Sequence, residues 1–488
     1  MPKQVWLPDL IYTAGGFQRR ALLCNEAGEI GAPEQEHEVV LRFDLANRAI
    51  LPGLVNAHSH AFQRVIRGRT EYRTVNSKDS FWTWREMMYS AAARLTPEDV
   101  YDASRMTFLE MALGGITAVG EFHYLHNDAE GNVYDDPNLI AKQVVRAAND
   151  VGLRIALLRV AYARSGYETE TNPRQLRFTE KDSHVYLKNV DKLIADLGQA
   201  SGSAWVGIAP HSVRAVPLNY LKTIINFANE RALPVHMHVA EQPAEVSACI
   251  EEYGRSPVAL LATEDLLSER FTAVHSIHVS PKAVGMLATA RAMVCACPTT
   301  ERNLGDGIVP VDAYFKQGVR VALGTDSQVE IDLLEDAREL EYHLRLQKME
   351  RVVLDPSRSP TTREGPATSK INGALPNGRA SAALAARLFD CATINGAASV
   401  GAFGGTLDQG QPADFFTVDL DDPSIAGAAA DDLLSTIVFS SARTAIKDVV
   451  VGGRRIIEDG RHAQQEEIVE KFKAVQKKLW SWNPSRLR

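Results

Sequence analysis

The chain has 488 residues, 45% of them hydrophobic and 23% charged, with a formal net charge of −8. This is ordinary globular composition, and the length admits one barrel of about 250 residues with additions at its ends. The negative balance leaves no basic footprint and excludes nucleic acid as an expected partner; no run of about 18 apolar residues exists to span a membrane.

In chain order, the opening "MPKQVWLPDL" lacks the apolar core of a secretory signal. Residues 1–50 carry short alternating runs such as "HEVVLRFDL" (37–45), which read as antiparallel strands. Eight apolar, β-branched segments follow: "ILPGLVNAHSH" (50–60), "ITAVGEFHY" (116–124), "RIALLRVAY" (154–162), "WVGIAPHSV" (205–213), "PVHMHVAEQ" (234–242), "FTAVHSIHV" (271–279), "AMVCACPTT" (292–300) and "VRVALGTDS" (319–327). Helical patterns such as "DVYDASRMTFLEMALGG" (99–115) and "NYLKTIINFANERAL" (219–233) lie between them. Strand then helix, eight times over, predicts an α/β chain folded as a (β/α)8 TIM barrel. The barrel is expected over residues 51–404. A segment rich in Pro, Ser, Gly and Thr, 355–381, reads as an inserted surface loop, with a lid over the barrel mouth as the alternative.

Beyond residue 405, "PADFFTVDL" (412–420) and "AIKDVVVGGRRIIEDG" (445–460) again look like antiparallel strands with Gly and Asp turns. The two flanks, 1–50 and 405–462, are therefore expected to build one small β-sandwich-like domain with the barrel inserted between them. Residues 463–488 are assigned to a C-terminal helix, on the amphipathic pattern of "QEEIVEKFKAVQKKLW". Five scattered cysteines fit a reducing cytoplasm better than a disulfide framework. Cys295 and Cys297 flank one alanine, but no second thiol pair completes a soft metal site, so they read as plain strand residues.

Polar groups at the carboxyl ends of barrel strands sit where such folds build their sites. Strand one ends in His58 and His60, two apart and so on one side of an extended segment. Strand five offers His236, His238 and Glu241; strand six His275 and His278; strand eight Asp326. Imidazole and carboxylate donors meeting at one rim suit a single divalent metal ion, zinc above all, with iron or manganese allowed by the same donors. Alternation cannot choose between His236 and His238, although His238 lies nearer the carboxyl end. His275 and His278 fall on opposite faces, so only one can point into the mouth.

The order His-x-His, His, His, Asp at the ends of strands one, five, six and eight resembles the amidohydrolase superfamily over nearly the whole chain. That resemblance implies that His58, His60, His238 and Asp326 bind the metal and that His275 stands beside it. The carboxyl end of strand four, "APHSVRAV", carries no lysine, which argues for one metal rather than two. "HVAE" resembles the single-metal deaminase branch, in which Glu241 would shuttle protons and Asp326 would help hold the attacking water.

Five segments, "HSHAFQR", "FWTWREMM", "APHSVRAV", "HMHVAEQ" and "CPTTERNLGDGI", look like the formimidoylglutamate deiminase family. The resemblance implies hydrolysis of N-formimino-L-glutamate to N-formyl-L-glutamate and ammonia, a step of histidine degradation. Such a dicarboxylate needs forked donors, which arginine supplies. Arg214, next to His211 past strand four, and Arg85, in an aromatic-rich loop after strand one, are the candidates. Gln63 could bond the formimino end and Tyr124 a carboxylate. His123 and His126 are read as structural or rim residues. The rival readings are a guanine deaminase or another single-metal deaminase, a carboxylate-bearing amide hydrolase, and a metal-free assembly protein. Barrels of this kind often pair, so a homodimer is a further expectation, with Trp82 and Trp84 as candidate contacts.

Overall fold

The computed structural model describes residues 1–32, 40–71, 81–198, 203–356 and 378–481. Most of the 355–381 insertion, the side chain of Trp82 and the last seven residues of the chain lie outside the described residues.

All eight apolar segments form strands of one parallel sheet: Leu54–Ser59, Ile116–His123, Arg154–Ala161, Ala204–Pro210, Val235–Val239, Phe271–His275, Met293–Ala296 and Val321–Leu323. Nearly every residue in them is buried, as strands covered on both faces require. The sheet closes where the backbone of Asp326 meets that of strand one. The Asp326 amide donates to the His58 carbonyl and the His60 amide to the Asp326 carbonyl, each at 3.0 Å. Closure brings the backbones close at Gly324, where an added Cβ would lie 2.7 Å from the His58 Cβ and 2.8 Å from its carbonyl oxygen. Gly324→Ala is therefore expected to push His58 out of place and to cost about 1–3 kcal/mol by overpacking, which a denaturation curve of the purified protein checks.

Helices fill the connections, and local chemistry starts them. Thr96 and Asp99 form a reciprocal capping box ahead of Pro97–Leu113, with Pro97 in the first turn. Asp182, Ser280 and Asp332 cap later helices through their side-chain oxygens. The aromatic-rich segment expected as a loop is a helix, Phe81–Ala92. It holds no glycine or proline, and its glutamate, methionines and alanines favour helix. Under the barrel, the short helix Ile394–Val400 packs against strand one so closely that a Cβ at Gly396 would lie 2.5 Å from the Val55 carbonyl oxygen.

The chain ends share a second, eight-stranded sheet. Leu41–Pro52 is its hub, pairing with Phe415–Asp419 on one side and with Gln4–Thr13 on the other. The second pairing is parallel, unlike the antiparallel arrangement expected for these strands. The chain makes the short strands Gly16–Gln18 and Leu22–Cys24 before it returns, and so it re-enters in the original direction. Alternate residues divide the sheet between two cores. Ile50, Phe415 and Val450 join Trp6 in a small cluster, while Leu51, Phe416 and Val449 join the barrel core. Trp6 stacks on Phe43 at 4.0 Å and meets Phe415 edge-on at 5.2 Å. The last helix, Gln465–Trp480, buries Ile468, Phe472, Val475 and Leu479 and ties Glu467 to Arg105 at 2.6 Å.

Candidate active site

At the carboxyl ends of the barrel strands, His58, His60, His238 and Asp326 place one ligand atom each within 4.8 Å of all the others, and all four are buried. The Nε2 atom of His58 lies 3.2 Å from that of His60 and 3.1 Å from that of His238. The Asp326 Oδ1 lies 3.2 Å from His60 Nε2 and 3.5 Å from His58 Nε2.

The far sides of two rings explain why these nitrogens face one another. His60 Nδ1 donates to the Phe122 carbonyl at 2.9 Å and His238 Nδ1 to the His211 carbonyl at 3.1 Å. With those hydrogens committed, both rings turn bare Nε2 lone pairs towards one point. Lone pairs converging at such distances beside a carboxylate repel unless a cation lies among them, so these residues fit a metal ion. Burial pushes the His58 imidazole down to about 3 and holds His238 well below its ordinary value, which keeps both neutral as metal ligands must be. Burial would raise the Asp326 carboxyl, but the surrounding His58, His60 and His275 side chains hold it well below the usual range.

The inward-facing pair on strand five divides by depth. His238 reaches the cluster, whereas His236 lies a layer lower and is held by the Ser399 carbonyl at 2.9 Å. On strand six His275 faces the site. Its Nε2 is 3.7 Å from Glu241 and 3.7 Å from Asp326, and its ring stacks on His238. His278 instead donates to the Asp306 carbonyl at 2.9 Å. Burial raises the Glu241 carboxyl above its ordinary value, although His275 pulls the other way. Left-handed backbone occurs at Ala240, His275, Ser276 and Asp326. Such conformations are costly for non-glycine residues and gather at functional sites.

The cluster opens into a cavity of about 760 Å³, solvent at its mouth included. Gln63, Arg85, Tyr124, His211 and Arg214 all line it, together with Glu241. Gln63 donates to the Tyr124 hydroxyl at 2.7 Å and keeps a buried Oε1 without a protein partner. Arg214 is braced by the Ser165 carbonyl at 2.9 Å and the Tyr162 hydroxyl at 3.3 Å. Arg85 lies over the Tyr89 ring, 5.2 Å from its centroid. His211 is held neutral by burial and by the neighbouring Arg214 charge. His126, bonded to the Val160 carbonyl, faces away from the cavity.

Three carboxylates that sequence reasoning passed over support the site. Glu121 takes the Ser59 hydroxyl and the Ala61 amide, pinning the turn between the two histidines and the chain beyond. Glu245 accepts the amides of Ala240 and Glu241 and so holds the Glu241 backbone. Glu301 accepts from His275 Nδ1 at 3.2 Å and from the Cys297 amide at 2.9 Å. Glu245 and Glu301 lie in first helical turns, where acidic residues are common for dipole reasons alone.

A closed parallel barrel with four side chains at its carboxyl rim that could hold a metal ion defines the class, and the chain belongs to the amidohydrolase family, which it matches over residues 49–456. It is 36% identical over 427 residues to the formimidoylglutamate deiminase of Pseudomonas aeruginosa, covering 88% of each chain. A 5-methylthioadenosine/S-adenosylhomocysteine deaminase of Syntrophomonas wolfei is 26% identical over 93% of this chain and 92% of its own. The crystal structure of an amidohydrolase from Brucella melitensis superposes with a TM-score of 0.84 at 30% identity, covering 98% of this chain and 99% of that one.

Proposed function

We propose that the chain is a hydrolase of carbon–nitrogen bonds that converts N-formimino-L-glutamate and water to N-formyl-L-glutamate and ammonia. The observation that carries this reading is the pair of arginines, Arg85 and Arg214, on one cavity with the four-donor cluster. A substrate with two carboxylates needs two such donors, and a neutral ring needs neither. The 36% identical deiminase supports the same substrate.

His58, His60, His238 and Asp326 would hold one ion, and three imidazole nitrogens with one carboxylate oxygen suit zinc. When bound, the ion supplies Lewis acidity that makes water reactive near neutral pH. Glu241 takes a proton from the attacking water and returns it to the departing nitrogen. His275, between Glu241 and Asp326, hydrogen-bonds the oxygen that adds to the formimino carbon. Arg214 and Arg85 hold the glutamate carboxylates, with Tyr124 and His211 beside them, and Gln63 offers its unpartnered oxygen to the formimino end. The water oxygen becomes the formyl oxygen, the C–NH2 bond breaks, and ammonia leaves. Five buried, unpaired thiols are consistent with a reducing compartment such as the cytoplasm.

Ammonia release from N-formiminoglutamate, run beside guanine on zinc-loaded protein, tests the assignment; release from guanine alone would remove it. Arg214→Ala should lower kcat/KM for the dicarboxylate by about 30- to 4 × 10³-fold, chiefly through KM, because a buried charged clamp is worth roughly 2–5 kcal/mol.

A further inference from the structure

The geometry points to Glu301 as the positioning residue of the reaction, orienting the His275 ring so that its Nε2 faces Glu241 and Asp326. Glu301 enters from the helix Pro298–Leu304 after strand seven and is 2% exposed. One oxygen, Oε1, accepts both His275 Nδ1 and the Cys297 amide, so the carboxylate is itself anchored to the end of a barrel strand. Among the described residues His275 is the one basic side chain within ion-pair distance of Glu301.

His275 needs such an anchor. It and Ser276 both have left-handed backbone, with φ of 67° and 51°, so strand alternation does not aim the ring. Stacking on His238 fixes the ring plane, with centroids 5.5 Å apart and planes 14° from parallel. A half-turn about Cβ–Cγ would keep that plane but put Cδ2 and Cε1 where Nδ1 and Nε2 now stand. The Glu301 bond removes that freedom, because an acceptor on one side requires the hydrogen on Nδ1 and leaves Nε2 for the site. Glu301 touches neither cavity nor substrate and acts only through the ring.

The rate readout of this inference rests on the proposed deamination, so a second readout independent of substrate is paired with it. Glu301→Ala and Glu301→Gln are prepared as zinc-loaded proteins. Each is measured for kcat, KM, zinc content and the ring-nitrogen signals of His275 under ¹⁵N-histidine labelling, assigned through their loss in His275→Asn. In Glu301→Ala, kcat should fall about 10²-fold or more, with KM within threefold, zinc content unchanged and the Nδ1–H signal displaced. Glu301→Gln should recover to within tenfold of the parent, because its amide oxygen accepts the same two hydrogen bonds. A Glu301→Ala protein with the parent's kcat, or with unmoved His275 signals, overturns the assignment. So does joint loss of zinc, folding and activity that Glu301→Gln does not repair. If the parent protein itself releases no ammonia from the substrate, the proposed activity fails, while the nitrogen signals still decide the role of Glu301.

Discussion

Glu241→Gln is expected to lower kcat by about 10²- to 10⁴-fold, the usual worth of a positioned acid–base group, with zinc content and KM close to the parent values. The substitution keeps the shape of the side chain and removes its capacity to carry a proton. Glu241 lies outside the four-donor cluster, so the metal should stay. The proposed reading gives the substrate carboxylates to Arg85 and Arg214 rather than to Glu241, so ground-state binding should change little. Its backbone is held by the two amide bonds to Glu245, and those do not involve the substituted group. A loss confined to kcat is therefore the signature of an interaction made only in the transition state. Steady-state ammonia release with metal analysis of the same sample checks it. A kcat within tenfold of the parent would leave Glu241 without a proton-transfer role.

The fold was legible because its strands are buried on both faces. Continuous apolar runs such as "RIALLRVA" need no alternation to be recognised, and capping residues mark the helices between them. The meeting of His58 and His60 was legible for a different reason: two residues apart on a strand is a geometric statement that survives folding. Strand five shows where that reasoning stops. His236 and His238 share a face, and only the depth set by Ser399 below and the His211 carbonyl above separates them. On strand six, alternation left His275 and His278 as alternatives, and it stops between them, because the strand ends at His275 and the backbone is left-handed at 275 and 276. The parallel pairing of Gln4–Thr13 with Leu41–Pro52 was hidden because turn signals report local reversals, whereas this contact follows a longer excursion. Glu121, Glu245 and Glu301 gave no periodic signal at all. Their roles come from backbone amides and ring nitrogens brought to them by tertiary structure.

Glu180→Ala is expected to destabilise the protein by about 3–5 kcal/mol at pH 7, the usual result of orphaning one partner of a buried ion pair. Arg159, on strand three, is fully buried and grips both oxygens of Glu180 at 2.5 and 3.0 Å while its Nε bonds Asn138. Asn189 donates to the same carboxylate at 2.6 Å. Removing the carboxylate strands a guanidinium between the barrel and its outer helices with the Asn138 oxygen and the face of the Tyr186 ring, 5.3 Å from its centroid, but no counter-charge. Burial alone would raise the Glu180 carboxyl, but Arg159 and then His126 hold it down at about 2, against an ordinary 4.5. A folded-state value below the unfolded one contributes stability that is complete above pH 4.5 and is lost as pH falls towards 2. The parent should therefore become less stable across that window, and Glu180→Ala should lose less there, so the gap between them narrows in acid. Urea denaturation at pH 7 and pH 3 measures both arms. Arg159→Met with Glu180→Leu, which replaces the pair by apolar side chains, should recover most of the loss because no charge is left buried. Equal midpoints for parent and Glu180→Ala at pH 7 would show that water reaches Arg159 and that the pair is not sealed within the fold.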